Sequence, residues 1–135
     1  MFEATTQIRV RYAETDKMGI VYYGNYPTYF EVGRVEAIRG LGYSYKQMEE
    51  DGIMMPVVDM KIKYLRPAMY DDLLTIKTQV RQAPSHRIVF HSEILNAEGK
   101  ILTKSEITLF FVSSKTFERV STPKVLLDKM VEFFD

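Results

Sequence analysis

The sequence YAETDKMGIVYYGNYP, residues 12–27, decides the fold and indicates where the chemistry lies. It follows an alternating segment, carries Asp16 into a loop that contains Gly19, and opens a stretch of apolar residues at helical spacing. A carboxylate placed just before a helix N-terminus stands beside backbone N–H groups, which favour negative charge. The chain has no Cys, two His and no Gly-x-Ser-x-Gly elbow, so it offers few other catalytic groups. Asp16 is therefore the first candidate for a functional residue.

Composition narrows the class of protein. A chain of 135 residues, 46% hydrophobic and 27% charged, predicts one globular domain over residues 1–135. Eighteen basic residues balance 18 acidic ones, which argues against a nucleic-acid partner. The absence of Cys fits a cytoplasmic protein. The N-terminal residues lack the pattern of a signal peptide, and no apolar run approaches the roughly 18 residues of a spanning helix, so we expect no integral membrane association.

Periodicity predicts a strand followed by a long helix. Residues 6–12 alternate between apolar and polar side chains, as in a half-buried strand. Asn25 is a suitable N-cap, and Pro27 is tolerated in a first helical turn. The helical spacing continues to Gly40 and Gly42, residues typical of a helix end. A largely buried helix is expected between these signals.

The rest of the chain is predicted to be mostly strands. Alternation marks four of them, over residues 58–64, 74–81, 87–95 and 101–112. A short helix is expected over residues 44–50, and a C-terminal helix after Thr122 as N-cap and Pro123 in its first turn. Short connections predict an antiparallel meander of the last four strands. The small residues Gly33 and Ala37 would let the long helix approach that sheet closely, in an α+β architecture.

Three segments resemble the 4-hydroxybenzoyl-CoA thioesterase-like hotdog family, which includes acyl-CoA thioesterases associated with the Tol–Pal cell-envelope system. They are residues 12–26, with the core Asp-x-x-Gly-x-Val-Tyr, residues 63–72, and the turn at residues 96–100 with the Thr/Ser-containing strand that follows it. The resemblance implies a five-stranded antiparallel sheet wrapped around the long helix, in homodimers or homotetramers. It also implies hydrolysis of an acyl-CoA to a free acid and CoA, with no metal or redox cofactor.

The resemblance assigns roles by position. Asp16 matches the catalytic Asp of the family, and Tyr23 matches a position whose backbone N–H polarises the thioester carbonyl. Relatives carry His or Tyr there, so for Tyr23, with Gly24 beside it, only the backbone role is implied. A thiol has a pKa of about 8.5 and leaves with little help from an acid. The carboxylate would then act as a general base or as a nucleophile, and the sequence leaves both open.

Substrate-binding candidates follow from charge and position. His86 and Arg87, beside a Pro-Ser turn, are the first candidates for binding the phosphates of CoA, although solvated surface positions explain them as well. Weaker candidates are Lys115, Arg119 and Lys124. Asn25 is an N-cap, or its side chain steadies Asp16 or a bound water. His86 and His91 are five residues apart in a strand region and should point to opposite faces, which is poor geometry for a metal site.

Other interpretations remain open from sequence. Asp16 is also an ordinary turn or capping residue in many proteins. A hotdog dehydratase would need a His with a carboxylate, and neither His precedes the long helix. A non-catalytic acyl-thioester-binding module is a further alternative. The open edge of such a sheet predicts pairing with a second copy, and we expect Asp16 of one chain to face residues 58–66 of its partner.

Overall fold

A computed structural model describes residues 1–134 of the chain. The strands are β1 (Phe2–Arg9), β2 (Ile53–Met54), β3 (Val57–Tyr64), β4 (Leu73–Val80), β5 (Arg87–Leu95), β6 (Ile101–Ser113) and β7 (Arg119–Val120). The helices are α1 (Tyr26–Gly40), α2 (Tyr45–Glu50) and α3 (Lys124–Met130). Short 3-10 turns cover Tyr12–Glu14, Tyr23–Asn25 and Val131–Phe133. The α+β class and both the long and the C-terminal helix are as predicted.

Five long strands form the sheet in the order β1-β4-β5-β6-β3, and every pair is antiparallel. The short strands β2 and β7 both pair with β6 and were not predicted. The predicted meander is wrong for β3, because this strand pairs with β6 and not with β4. Residues 65–72 are long enough to cross the strand ends, where Met69 bridges to Ile20 and Ala68 accepts a hydrogen bond from Val21 N at 2.8 Å.

The core lies between α1 and the inner face of the sheet. Side chains alternate along β4 and β5, and the inward ones are buried, among them Leu74, Ile76, Val80, Ile88, Phe90 and Ile94. A Cβ at Gly33 would lie 2.6 Å from Ile76 Cγ2 and 2.8 Å from Thr78 Oγ1. Only glycine permits this separation between helix and sheet, as expected from the small residues in the helix.

Two ends of helices carry the turn or capping residues typical of such ends, and two predicted ends differ from the structure. Gly42 follows α1 with a φ of +89°, and Ser44 caps α2 in a capping box with Gln47. Thr122 is not an N-cap, because α3 begins at Lys124 and Thr122 Oγ1 donates to the carbonyl of Ser85 instead. Strand β1 ends earlier than predicted, since the chain turns into a 3-10 conformation after it.

Strand β3 forms an edge of the sheet and is exposed along most of its length. Large apolar side chains on and just after it reach solvent, namely Val57, Val58, Met60, Tyr64 and Leu65. An apolar edge strand is a ready surface for pairing with another chain. Among residues 1–134 no helix is long and apolar enough to cross a membrane, and the longest, α1, has 15 residues.

Candidate active site

Asp16 stands at the start of a tight loop closed by backbone hydrogen bonds. Thr15 and Val21 form an antiparallel bridge, and Asp16 N donates to the carbonyl of Ile20 at 2.9 Å. Gly19 N donates to the carbonyl of Asp16 at 3.0 Å. Gly19 has a φ of +79°, a conformation that glycine adopts without steric cost. The residues 15–21, which we call the Asp16 loop, therefore hold the backbone of Asp16 in a defined position.

The carboxylate of Asp16 is half-buried and has one oxygen engaged. Its Oδ1 accepts a hydrogen bond from Met18 N at 2.8 Å, which fixes the side chain in an Asx turn. Within residues 1–134 its Oδ2 accepts no hydrogen bond, and no cation lies within 4.0 Å of the carboxylate. Asp16 is thus oriented by its own loop and keeps an oxygen available for chemistry.

The 3-10 turn Tyr23–Asn25 leads directly into α1. Its last N–H, of Asn25, donates to the carbonyl of Tyr22 at 2.9 Å. The N–H groups of Tyr23 and Gly24 begin the turn and, in the described part of the chain, donate to no backbone or side-chain acceptor. The first N–H groups of a helical turn have no partner inside it, so these two are free to bind an oxygen with negative charge.

Glu14 is a buried carboxylate that sequence analysis missed. Its Oε1 accepts hydrogen bonds from Arg11 N at 2.9 Å and from the hydroxyl of Tyr29 at 2.8 Å, and its Oε2 accepts from Arg11 Nε at 2.8 Å. Burial acts to raise the pKa of Glu14, but the hydrogen bonds from Arg11 and Tyr29 outweigh it and hold the pKa below its ordinary value. The Arg-x-x-Glu spacing before the predicted loop was the available signal.

The backbone carbonyl of Glu14 joins the two parts of the site. It accepts hydrogen bonds from Tyr22 N at 2.9 Å and from Asn25 Nδ2 at 2.8 Å. Asn25 was predicted to cap the helix, or to steady Asp16 or a bound water; it stands at the N-cap position of α1, but the hydrogen bond that its side chain donates goes to neither the helix end nor Asp16. Its backbone is already helical and its side chain makes no cap, because the amide is directed to Glu14. A contact between Asn25 and substrate stays a prediction.

Exposed aromatic rings surround the loop and the turn. The rings of Tyr22 and Tyr23 are tilted by 43° with centroids 4.7 Å apart, and Tyr12 meets Tyr70 edge-on at 5.6 Å. The hydroxyl of Tyr64, on the exposed edge strand β3, donates to the carbonyl of Tyr23 at 3.3 Å. The apolar edge and the candidate site are therefore parts of one continuous surface.

His86 and Arg87 lie at the opposite end of the sheet from Asp16. The first residue of β5, Arg87, lies at the end of the sheet where β1 begins. The Asp16 loop follows the last residue of β1, at the other end of the sheet. A single chain does not place these cations beside Asp16, and their role in binding the phosphates of CoA stays a prediction. His86 precedes β5, and only His91 lies within the strand.

The weaker cationic candidates differ in their surroundings. The guanidinium of Arg119 lies 3.7 Å from the ring centre of Phe110, and Lys124 Nζ lies 2.7 Å from an oxygen of Asp128. Arg119 therefore packs on an aromatic ring, whereas the ion pair of Lys124 is exposed and contributes little to the fold. Lys115 is exposed. Within residues 1–134 no group of three or more His, Cys, Asp or Glu is placed to hold a metal ion.

Two cavities open on the face of the sheet turned away from α1. Their volumes are about 310 Å³ and about 410 Å³, and they share Arg81, His91 and Glu106 as lining residues. Neither cavity is lined by Asp16 or Tyr23. Burial and the charge of Arg81 hold the pKa of His91 below its ordinary value. The cavities by themselves would favour a binding site on the outer face of the sheet. The carboxylate oxygen and the N–H groups that have no partner among residues 1–134 lie instead in the Asp16 loop and the Tyr23–Asn25 turn.

Comparison with known proteins identifies the family. A profile described as Thioesterase superfamily matches residues 18–103. The chain is 35% identical to a putative acyl-CoA thioesterase, YneP, of Bacillus subtilis, over 95% of this chain and 93% of the relative. It is 29% identical to the acyl-CoA thioester hydrolase YbgC of Escherichia coli, over 89% and 90% of the two chains. A DHNA-CoA thioesterase structure from Staphylococcus aureus superposes with a TM-score of 0.86 at 36% identity, covering 99% of this chain and 85% of that one. Because the profile matches more than half of its length, the chain belongs to the thioesterase superfamily and has the hotdog fold.

Proposed function

We propose that this protein hydrolyses the thioester of an acyl-CoA to a free acid and CoA, at a site formed by Asp16 and the N–H groups of Tyr23 and Gly24. The observation that carries the proposal is that a carboxylate oxygen and two N–H groups have no partner among residues 1–134, on two segments joined through Glu14. The relatives named as acyl-CoA thioesterases match nearly the whole chain. Asp16 acts on water as a general base or attacks the carbonyl itself.

Hydrolysis of a thioester requires an attacking oxygen and stabilisation of the oxyanion, and this site can supply both. The attacking oxygen turns the thioester carbonyl into a tetrahedral oxyanion, which the N–H groups of Tyr23 and Gly24 stabilise. Removing one such donor from an enzyme typically costs about 2.7–4 kcal/mol of transition-state stabilisation. Collapse of the oxyanion breaks the C–S bond, and the thiolate of CoA, with a conjugate-acid pKa of about 8.5, departs without a strong general acid. If Asp16 acts as the base, the water oxygen becomes part of the free acid, and the proton that Asp16 took passes to the thiolate or to solvent. If Asp16 attacks, departure of the thiolate leaves an anhydride on Asp16, which water hydrolyses to the free acid and the regenerated carboxylate. The side chain of Tyr23 has no required chemical step.

The site is completed by a second copy of the chain. Strand β3 exposes unpaired backbone groups and large apolar side chains, and Tyr64 on this strand touches Tyr23. Pairing of two β3 strands about a two-fold axis satisfies those groups and buries those side chains. The partner then presents residues 58–66 to Asp16 and closes a groove over the thioester. Assembly as a homodimer or homotetramer is part of this proposal. A cytoplasmic location and the binding of CoA phosphates by His86 and Arg87 remain separate predictions.

The proposal is tested with a panel of acyl-CoAs that carry short, long, aromatic and 3-hydroxy acyl groups. Thiol release and formation of an enoyl product are followed in the same samples. Release of thiol in proportion to enzyme supports the proposal, and its absence from every sample contradicts it. An enoyl product would indicate the dehydratase, whereas binding without either product would indicate the non-catalytic binding module.

A further inference from the structure

We propose that Glu14 is the positioning residue of this site: it sets the distance and orientation between Asp16 and the N–H groups of Tyr23 and Gly24. The inference rests on the proposed function, because it concerns how the two catalytic parts are held together. Glu14 is separated from Asp16 by a single residue, and its hydrogen bonds reach both sides of the Tyr23–Asn25 turn.

The carbonyl of Glu14 fixes the turn at two points. Tyr22 immediately precedes the turn and donates its N–H to this oxygen, and Asn25 ends the turn and donates its side-chain amide to it. One oxygen therefore holds both ends of a three-residue turn. The N–H groups between those ends, of Tyr23 and Gly24, donate to no acceptor among residues 1–134.

The carboxylate of Glu14 fixes the loop to the helix. Tyr29 is the fourth residue of α1 and is 1% exposed, and its hydroxyl donates to Glu14 Oε1. Arg11 binds the same carboxylate through its backbone N–H and its guanidinium, which closes the 3-10 turn before the Asp16 loop. The loop that carries Asp16 is thus anchored to the helix that begins at the Tyr23–Asn25 turn.

Glu14 is a positioning residue and not a second acid or base. The residue is 8% exposed, and both of its carboxylate oxygens already accept hydrogen bonds from protein donors. Asp16, in contrast, has an oxygen without a partner among residues 1–134. A buried, fully bonded carboxylate orients its neighbours, and small misplacements of catalytic groups reduce turnover by up to about 100-fold.

The test measures kcat and KM for thiol release by Glu14→Gln and Tyr29→Phe, each expressed per folded molecule. The matched control is Glu36→Gln, which removes an exposed i,i+3 ion pair with Arg39 on α1. Glu14→Gln is expected to lower kcat by about 10- to 100-fold with KM within about 3-fold. Tyr29→Phe is expected to lower kcat in the same way by a smaller factor, and Glu36→Gln to leave both constants unchanged.

A double-mutant cycle with Asp16→Asn distinguishes an effect of Glu14 on the position of Asp16 from a general effect on the stability of the fold. If Glu14 acts through Asp16, Glu14→Gln changes the remaining rate of Asp16→Asn by less than about 3-fold. Full kcat per folded molecule in Glu14→Gln, or equal losses with and without Asp16, would overturn the inference. Should Glu14→Gln not fold, Tyr29→Phe gives the same comparison. Wild-type turnover by Asp16→Asn would instead overturn the proposed function, so the two failures are distinguishable.

Discussion

The ring of Tyr22 covers the position where residue 24 would carry a side chain. A Cβ at Gly24 would lie 2.7 Å from Tyr22 Cε2, closer than real Cβ contacts come, and 3.2 Å from Tyr22 Cδ2. Tyr22 also donates its N–H to the carbonyl of Glu14, so its backbone cannot move freely. Glycine at position 24 lets the ring and the free N–H groups occupy adjacent space.

Gly24→Ala is expected to lower kcat about tenfold or more, because the methyl group displaces the Tyr22 ring or tilts the turn away from the oxyanion. Thiol release by the purified variant measures the effect. Gly40→Ala is the control, since no atom lies within 4 Å of its added Cβ and its φ is not positive. Equal kcat values for the two variants would show that the turn tolerates a side chain.

Gly33→Ala is expected to reduce the free energy of unfolding by about 1–3 kcal/mol. The added Cβ would meet the fully buried Ile76 at 2.6 Å, and a branched side chain on β4 has no space into which to move. Urea denaturation at fixed protein concentration measures the change. Gly40→Ala again serves as the control, and equal stability of both variants would contradict the close approach of α1 to the sheet.

Stability should depend on pH through Glu14. Its pKa in the folded protein is lowered from the ordinary value of about 4.3, so the folded state favours the carboxylate. The stability that Glu14 contributes is therefore present above about pH 5 and is lost as the pH falls through its folded pKa. The difference in unfolding free energy between the wild type and Glu14→Gln should shrink as the pH falls from 7 to about 3. A difference that stays constant over this range would contradict the described contacts.

Assembly through β3 can be tested at Met60, which is 37% exposed on that edge. Met60→Lys places a charge in the proposed dimer interface, and it is expected to yield monomers with little thioesterase activity. Val125→Lys, on α3 and also exposed, is the matched control and should retain the wild-type assembly. Sedimentation velocity measures the mass of each. An active, stable wild-type monomer would exclude a site shared between subunits.

Local patterns in the sequence predicted the parts of the fold that depend on local structure. Alternation located four of the long strands closely, and small residues in α1 correctly indicated its close approach to the sheet, which occurs at β4. The short helix expected over residues 44–50 is α2, Tyr45–Glu50. Strand β3 was assigned the wrong neighbour because residues 65–72 cross the strand ends, and no periodic pattern reports which strand a connection reaches.

The site shows the same division between local and distant contacts. Gly19 was placed in a loop, and its φ of +79° agrees with that position. Asn25 was assigned to the nearest helix end, whereas its side chain binds the carbonyl of Glu14, 11 residues earlier. Glu14 has a local partner in Arg11, but its contact with the long helix, through Tyr29, spans 15 residues and has no sequence pattern. Such contacts arise only when the loop, the turn and the helix are folded together.

The most direct test of the account compares the steady-state rate of thiol release by Asp16→Asn with that of the wild type, on the best acyl-CoA of the panel. The substitution keeps the size of the side chain and the hydrogen bond to Met18 N, so the melting temperature and assembly should not change. We predict that kcat falls by about 10²- to 10⁴-fold. A folded Asp16→Asn protein that releases thiol within a few-fold of the wild-type rate would contradict the account.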